Sequence, residues 1–437
     1  MYKKISTIVD ALEDYLVDTR RDFHKYPETG WKEIRTSSII ASELKKIGFD
    51  EVIIGEDVCD LDSRMGLPSQ DELVKAYEDA LKNGADEEYA KLMKDGKTGV
   101  IGILRCGDGP ELAMRFDIDA LPLIEYDGED SFPRKEGFVS VNHGSMHACG
   151  HDGHATIGLG VARTLYEIKD RLNGTIKLIF QPAEEGVRGG KSIVEKGHLD
   201  NTKYFLASHI TPNKGREEFD LFPGSGGSLA TTKIDAIYRG KASHASGAPQ
   251  DGNNALLSMA TAILNLNGIP RHSDGSTRCH VGVANGGTGR NIVADHAKLL
   301  IETRGETTEI NTFVKNYAER ILNSAAEMHG VECEIKKVGE AYSLESDVEM
   351  IEYINTVAIE LGLKPTKEKR MKLTGSEDVS YMMNKVQNNG GIASFIRLLT
   401  PITGVGHGIK YNFDEKVLLN GVKIFSGGAY KLLGKAE

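Results

Sequence analysis

Between positions 98 and 210 the chain alternates short apolar runs with a helical stretch, and that alternation constrains the fold most. The runs TGVIGILRC (98–106), ELAMRFDIDA (111–120), TIKLIFQPAEE (175–185) and KYFLASHI (203–210) read as strands. HATIGLGVARTLYEI, with Ile157, Val161, Leu165 and Ile168 at helical spacing, reads as a helix. Strands that are apolar throughout and alternate with helices predict an α/β fold, its sheet covered by helices on both faces. Alternation returns late in the chain, with helices near 347–361 and in SEDVSYMMNKV, the strand IASFIRLL, and a closing helix after Asp414.

The stretch from 227 to 340 has a different rhythm, strand-helix-strand-strand-helix-strand, which is the split βαβ plan of a small two-layer domain. The economical division is a discontinuous larger domain (1–226 and 341–437) with the smaller one inserted, PGSGGS and SLESD being the hinges. Residues 56–97 fit neither rhythm; this polar segment, with one helical run in DELVKAYEDALKNG, reads as a surface insertion.

A chain of 437 residues can bury large cores without covalent staples, so its five cysteines need not form a disulfide framework. Asp and Glu outnumber Lys and Arg by 64 to 53, a net charge of −11 that argues against nucleic acid or an anionic membrane as the main partner. No apolar run reaches the roughly 18 residues of a membrane span. Asp10, Glu13 and Asp14 interrupt any signal-peptide core in MYKKISTIVDALEDYL, which reads as an amphipathic helix with Ile5, Ile8, Leu12 and Leu16 on one side. A reducing cytoplasm is the expectation.

Chemistry gathers where the apolar runs end. NHGSMHACGHDGH (142–154) holds four histidines with Cys149 and Asp152. Cys149 and His151 are two apart on a loop feeding a helix, where both side chains can converge, and thiolate and imidazole suit borderline transition metals. Gly150 and Gly153 would let the backbone wrap closely around an ion. A helix N-terminus that happens to be rich in histidine is the bland alternative, and the Cys and Asp between glycines favour metal. Glu184 and Glu185 follow the strand TIKLIF, in the crevice where open α/β sheets bind ligands; equally, they could be the N-terminal charges of the next helix. His209 ends another apolar run, a weak signal alone. Asp117 and Asp119 alternate along one face of their strand, placed to coordinate, to hold a ligand histidine, or to repel each other. His407 lies between two glycines. GGTGRNIV is a poor phosphate signal, and Arg290 and Asn291, with His244, suit a carboxylate better.

MRFDIDALP, MHACGHDGH, FQPAEEG, the late GHG and GKASHASGAPQDGNNA together resemble the M20 metallopeptidases, specifically the amidohydrolase branch with a cysteine ligand. The resemblance extends to RRDFHKYPETGW, SRMGLP, GTGRNIV, ETRGE and GSEDVSYMM, and so covers nearly the whole chain. It implies a zinc-peptidase-like mixed sheet flanked by helices, with the inserted α+β ferredoxin-like (βαββαβ) segment serving as a lid and dimerisation domain. It implies two divalent ions bridged by Cys149, with His151, Glu185, His209 and His407 as further ligands. Glu184 would be the general base and Asp119 would orient a ligand from behind. Other branches place a histidine ligand where Asp117 stands. His143, His147 and His154 would support the ligands, and His244, Arg290 and Asn291 would meet the substrate. A bridging thiolate favours zinc on softness, whereas the resemblance points to manganese. The expected reaction is hydrolysis of an N-acyl amino acid, an aroyl-glutamate such as p-aminobenzoyl-glutamate. Rival readings are another N-acyl amino acid or short peptide, and a metal-binding module in which Glu184 is only structural. The expected assembly is a homodimer or a pairing with a related subunit.

Overall fold

Seven strands form one mixed sheet, and the sequence shows why they are interior. Val100–Arg105, Glu111–Asp117 and Thr175–Gln181 are buried along nearly their whole length, as continuous apolar runs require. The strand order is Glu51–Ile54, Val100–Arg105, Thr175–Gln181, Glu111–Asp117, Thr202–Pro212, Ile392–Thr400 and Leu221–Phe222. The four strands from Thr175–Gln181 to Ile392–Thr400 run parallel, and the flanking pairings are antiparallel. This is the predicted mixed α/β sheet flanked by helices.

The computed structural model describes residues 1–373 and 375–435. They divide into two units: Met1–Gly226 with Glu345–Lys372 and Asp378–Glu437, and Gly227–Leu344 with Leu373–Glu377. In the first unit the helix His151–Ile168 buries Ile157, Val161, Leu165 and Ile168 in a core shared with Phe116, Phe180 and the helix Val417–Leu433. Each such side chain contributes roughly 1.5–3 kcal/mol when fully buried. Two details depart from expectation. The N-terminal helix stops at Asp10 and a second one, Glu13–Lys25, carries Leu16. Polar as it is, the 56–97 segment sends Ala80, Ala85, Ala90 and Met93 into the main core, and its helix Gln70–Lys82 starts on a Ser69–Glu72 capping box.

The second unit is a four-stranded antiparallel sheet in the order Glu332–Ala341, Ala230–Arg239, His296–Gly305, Thr277–Gly286. Alternate residues of its strands, among them Ile234, Ala236, Leu299 and Ile301, meet Ala262, Leu266, Val314 and Leu322 of the helices Ala255–Leu266 and Thr308–Met328.

Candidate metal centre

The strand Glu111–Asp117 leads through the helix His151–Ile168 to a neighbour on one side, Thr175–Gln181, and the chain then crosses back to Thr202–Pro212 on the other. Such a reversal opens a crevice at the carboxyl ends of the strands, and the chemical residues of the first unit lie there.

Gly150 has φ +94, a left-handed conformation that glycine adopts without strain, and this turn starts the helix at His151. Cys149 precedes the turn, and its Sγ lies 3.3 Å from His209 Nε2. Gly153 has a different task from the expected wrapping of an ion. It lies within the helix, where a Cβ would sit 2.7 Å from Ile210 Cδ1 and 2.7 Å from Phe413 Cζ, so it permits close packing.

Among the described residues, four sets of potential ligand atoms lie within 4.8 Å of one another: Cys149, His151 and His209; Cys149, Glu185 and His407; His151, Glu184 and Glu185; and Asp117, His151 and His154. Hydrogen bonding separates the histidines. His151 Nδ1 lies 2.8 Å from the Asp119 carbonyl oxygen, and His209 Nδ1 lies 2.6 Å from that of Ile210. A carbonyl can only accept, so each Nδ1 carries a proton and Nε2 is the nitrogen each ring can offer to an ion. His151 Nε2 is buried and has no hydrogen-bond partner among the described residues. His154 is saturated instead: Nδ1 donates to Asp117, and Nε2 accepts the N–H of Ile210 at 2.9 Å. That leaves the fourth set without a free histidine at His154.

Asp117 and Asp119 do separate work, because the strand ends at Asp117 and Ala120 is bridged to Thr29. Asp117 is buried between Arg115 and His154. Burial alone would raise its pKa, but Arg115, His151 and His154 hold it well below the usual carboxylate range. The Asp119 carboxylate accepts the backbone N–H groups of Glu184 at 3.0 Å and Glu185 at 2.9 Å. Glu184 and Glu185 are not the opening charges of a helix, since the next one begins at Gly190 with no acid in its first turn. Glu184 is buried and Glu185 half-buried.

His407 closes the cluster from a loop, with φ +60, its N–H donating to Ala148 O at 2.8 Å and its Nε2 3.6 Å from Glu185 Oε1. Burial pushes the Cys149 thiol up to about 12. For His151 burial disfavours the charged ring, yet Asp117 and Cys149 outweigh it and raise the pKa well above the ordinary value. His209 goes the other way, lowered by burial and by Arg397, its register partner on the neighbouring strand. A cation would supply the missing countercharge for the thiolate and carboxylates and displace a proton from the site, so the donor set fits a metal.

In the second unit His244 is bridged to Ile292, and Ala245 N–H donates to Asn291 O at 3.0 Å, so His244 and Asn291 lie side by side. Both are exposed, as is Arg290.

Sequence reasoning passed over several supports. Arg115 donates to Gln181, Asp117 and Asp378. Asp378 accepts the N–H groups of Gly189 and Gly190, and Glu33 accepts that of Ala183. A charged residue within the apolar run LAMRF was the available signal for Arg115.

Residues 113–430 match the model of peptidase family M20/M25/M40. The chain is 43% identical over 401 residues to the indole-3-acetyl-aspartic acid hydrolase of Enterobacter agglomerans, covering 91% of each. It is 40% identical over 418 residues to one of the subunits of p-aminobenzoyl-glutamate hydrolase from Escherichia coli K12, covering 95% of each. The crystal structure of an aminobenzoyl-glutamate utilization protein from Klebsiella pneumoniae matches with a TM-score of 0.83 at 36% identity, over 97% of this chain and 96% of that one. On that breadth of similarity, the chain belongs to the M20/M25/M40 peptidase family and is a metal-dependent hydrolase of that family.

Proposed function

We propose that the protein hydrolyses the amide bond of an N-acyl amino acid, with p-aminobenzoyl-glutamate as substrate. The observation that carries the chemistry is the shared tautomer of His151 and His209, both fixed through Nδ1 on a backbone carbonyl with Nε2 turned inward. Ligand histidines are held in this way. The acyl and amino acid moieties rest on the relatives, one named for p-aminobenzoyl-glutamate and another for indole-3-acetyl-aspartic acid. Both names join an aromatic acyl group to an acidic amino acid. Indole-3-acetyl-aspartate is therefore the second substrate to test.

Cys149, His151 and His209 would hold one divalent ion and Cys149, Glu185 and His407 a second, with Cys149 common to both sets. We assign manganese, with zinc as the alternative that thiolate softness favours. When bound, such ions bring the pKa of water down to about 7 and polarise a carbonyl. Glu184, buried in the turn beside Glu185, takes the proton of the attacking water and returns it to the departing amine nitrogen. Asp119 fixes the backbone of Glu184 and Glu185, and with it the direction of both side chains. His244, Arg290 and Asn291 of the second unit, proposed as the lid and dimerisation domain, bind the substrate carboxylates and the developing oxyanion. The protein works as a dimer, of two copies or with a related subunit, in the cytoplasm, a compartment that suits its five free cysteines.

The test is a manganese-supplemented panel read by amine release. Release of p-aminobenzoate and glutamate from p-aminobenzoyl-glutamate supports the reading. Turnover of other N-acyl amino acids alone moves the specificity, and metal binding without any turnover contradicts catalysis.

A further inference from the structure

Arg188 stands three residues after Glu185, on the same turn. Its Nε–H donates to the Glu185 carbonyl oxygen at 2.7 Å and its Nη1–H to that of Gly66 at 3.0 Å. Gly30 makes the room: a Cβ there would sit 2.2 Å from Nη2. Gly66 belongs to the 56–97 insertion. One residue earlier, Met65 O accepts the indole N–H of Trp31 at 2.8 Å. Arg64 covers the same indole 5.8 Å from its centroid and donates to the carbonyls of Asp95 and Gly96, each at 2.9 Å. The insertion is thus tied near its start to Trp31 and to its own end, and it meets the turn through the bond from Arg188 to Gly66.

We propose that the 56–97 insertion braces the turn carrying Glu185, and that Arg188 is the positioning residue that transmits the brace. The turn needs holding. Ala183 and Val187 adopt φ +51 and +58, conformations that cost a residue with a Cβ about 1–3 kcal/mol and persist only when neighbours over-determine them. Asp119, Glu33 and Asp378 accept the N–H groups of the turn. Arg188 supplies the complementary donor to a carbonyl, and its rigid fork spans two carbonyls at once, which a lysine does not. The consequence falls on Glu185, whose backbone is clamped from both directions, by Asp119 at N–H and by Arg188 at C=O. The inference rests on Glu185 being a cation ligand.

Equilibrium titration of the metal-stripped protein with Co²⁺, followed by thiolate-to-cobalt absorption, tests this. Two binding phases are expected in the unaltered protein. Arg188→Met keeps the aliphatic stem and removes the donors. One phase should weaken about 10–100-fold while the other moves less than about threefold, and kcat should fall more than KM rises. Arg188→Lys should lie between. Emission of Trp31, the single tryptophan, should stay unchanged in Arg188→Lys, showing the insertion still seated. Unchanged affinities in both variants, or equal weakening of both phases with a lowered thermal midpoint, would overturn the brace. If even the unaltered protein gives no thiolate band, the metal assignment itself is wrong and the inference goes with it.

Discussion

His209 Nε2 lies 3.3 Å from Cys149 Sγ, although the two residues are sixty positions apart. The first sits near the carboxyl end of an inner parallel strand and the second just before a left-handed glycine. Their meeting point lies where the strand order switches, and ligand atoms of Glu185 and His407 also lie within 4.8 Å of Cys149.

Removing the carboxylate of Glu184 separates proton transfer from metal binding. Glu184→Gln should lower kcat by about 10²–10⁴-fold and leave metal content per chain unchanged, as measured by elemental analysis after dialysis. Loss of metal in parallel with activity would contradict the division of labour between Glu184 and Glu185.

Cys149 belongs to two of the ligand sets, so its loss should affect both ions. Cys149→Ser replaces a soft ligand with a far less acidic hydroxyl and should weaken metal loading about tenfold or more. Full occupancy at limiting metal would take Cys149 out of the site.

His244 is exposed, and surface substitutions change stability by about 0.5 kcal/mol or less. His244→Ala should therefore keep the thermal midpoint and metal content while lowering kcat/KM about 10–100-fold, equivalent to about 1.4–2.7 kcal/mol. Unchanged kinetics would leave His244 with no part in substrate binding.

Glu33 gives a pH signature. Burial raises its carboxyl to about 8, with Asp119 adding to the effect. The folded protein then holds a proton that the unfolded chain has lost above about pH 4.5, so this contribution is complete below that pH and disappears as pH rises through 8. The neutral acid can accept from Ala183 N–H and bond Thr98 Oγ1, and an amide can do the same. Glu33→Gln should lie within about 1 kcal/mol of the parent near pH 5 and exceed it by about 4 kcal/mol near pH 8, read from urea midpoints at both pH values. A parallel pH dependence in the two proteins would contradict the raised carboxyl.

The larger sheet was legible because its inner strands are apolar runs, and the candidate site because Glu185 and His209 follow such runs and the Cys149–His151 loop stands out as a Cys/His cluster that lies near them. Less could be read where one residue type serves two ends. Gly153 looked like an ion-wrapping glycine but faces Ile210 and Phe413. Asp117 and Asp119 looked like a pair, yet one is locked by Arg115 and His154 and the other caps two backbone N–H groups. Spacing along a strand does not say where the strand stops. Arg188 at Gly66, and Glu33 and Asp378 at Ala183, Gly189 and Gly190, act through carbonyls and amides far away in sequence, and no local pattern reports such partners.

Anomalous diffraction from crystals grown with manganese, recorded on both sides of its absorption edge, tests the metal centre most directly. Two peaks are expected, both within bonding distance of Cys149 Sγ, one beside His151 and His209 and the other beside Glu185 and His407. A single peak, or peaks that leave Cys149 uncoordinated, would contradict the account.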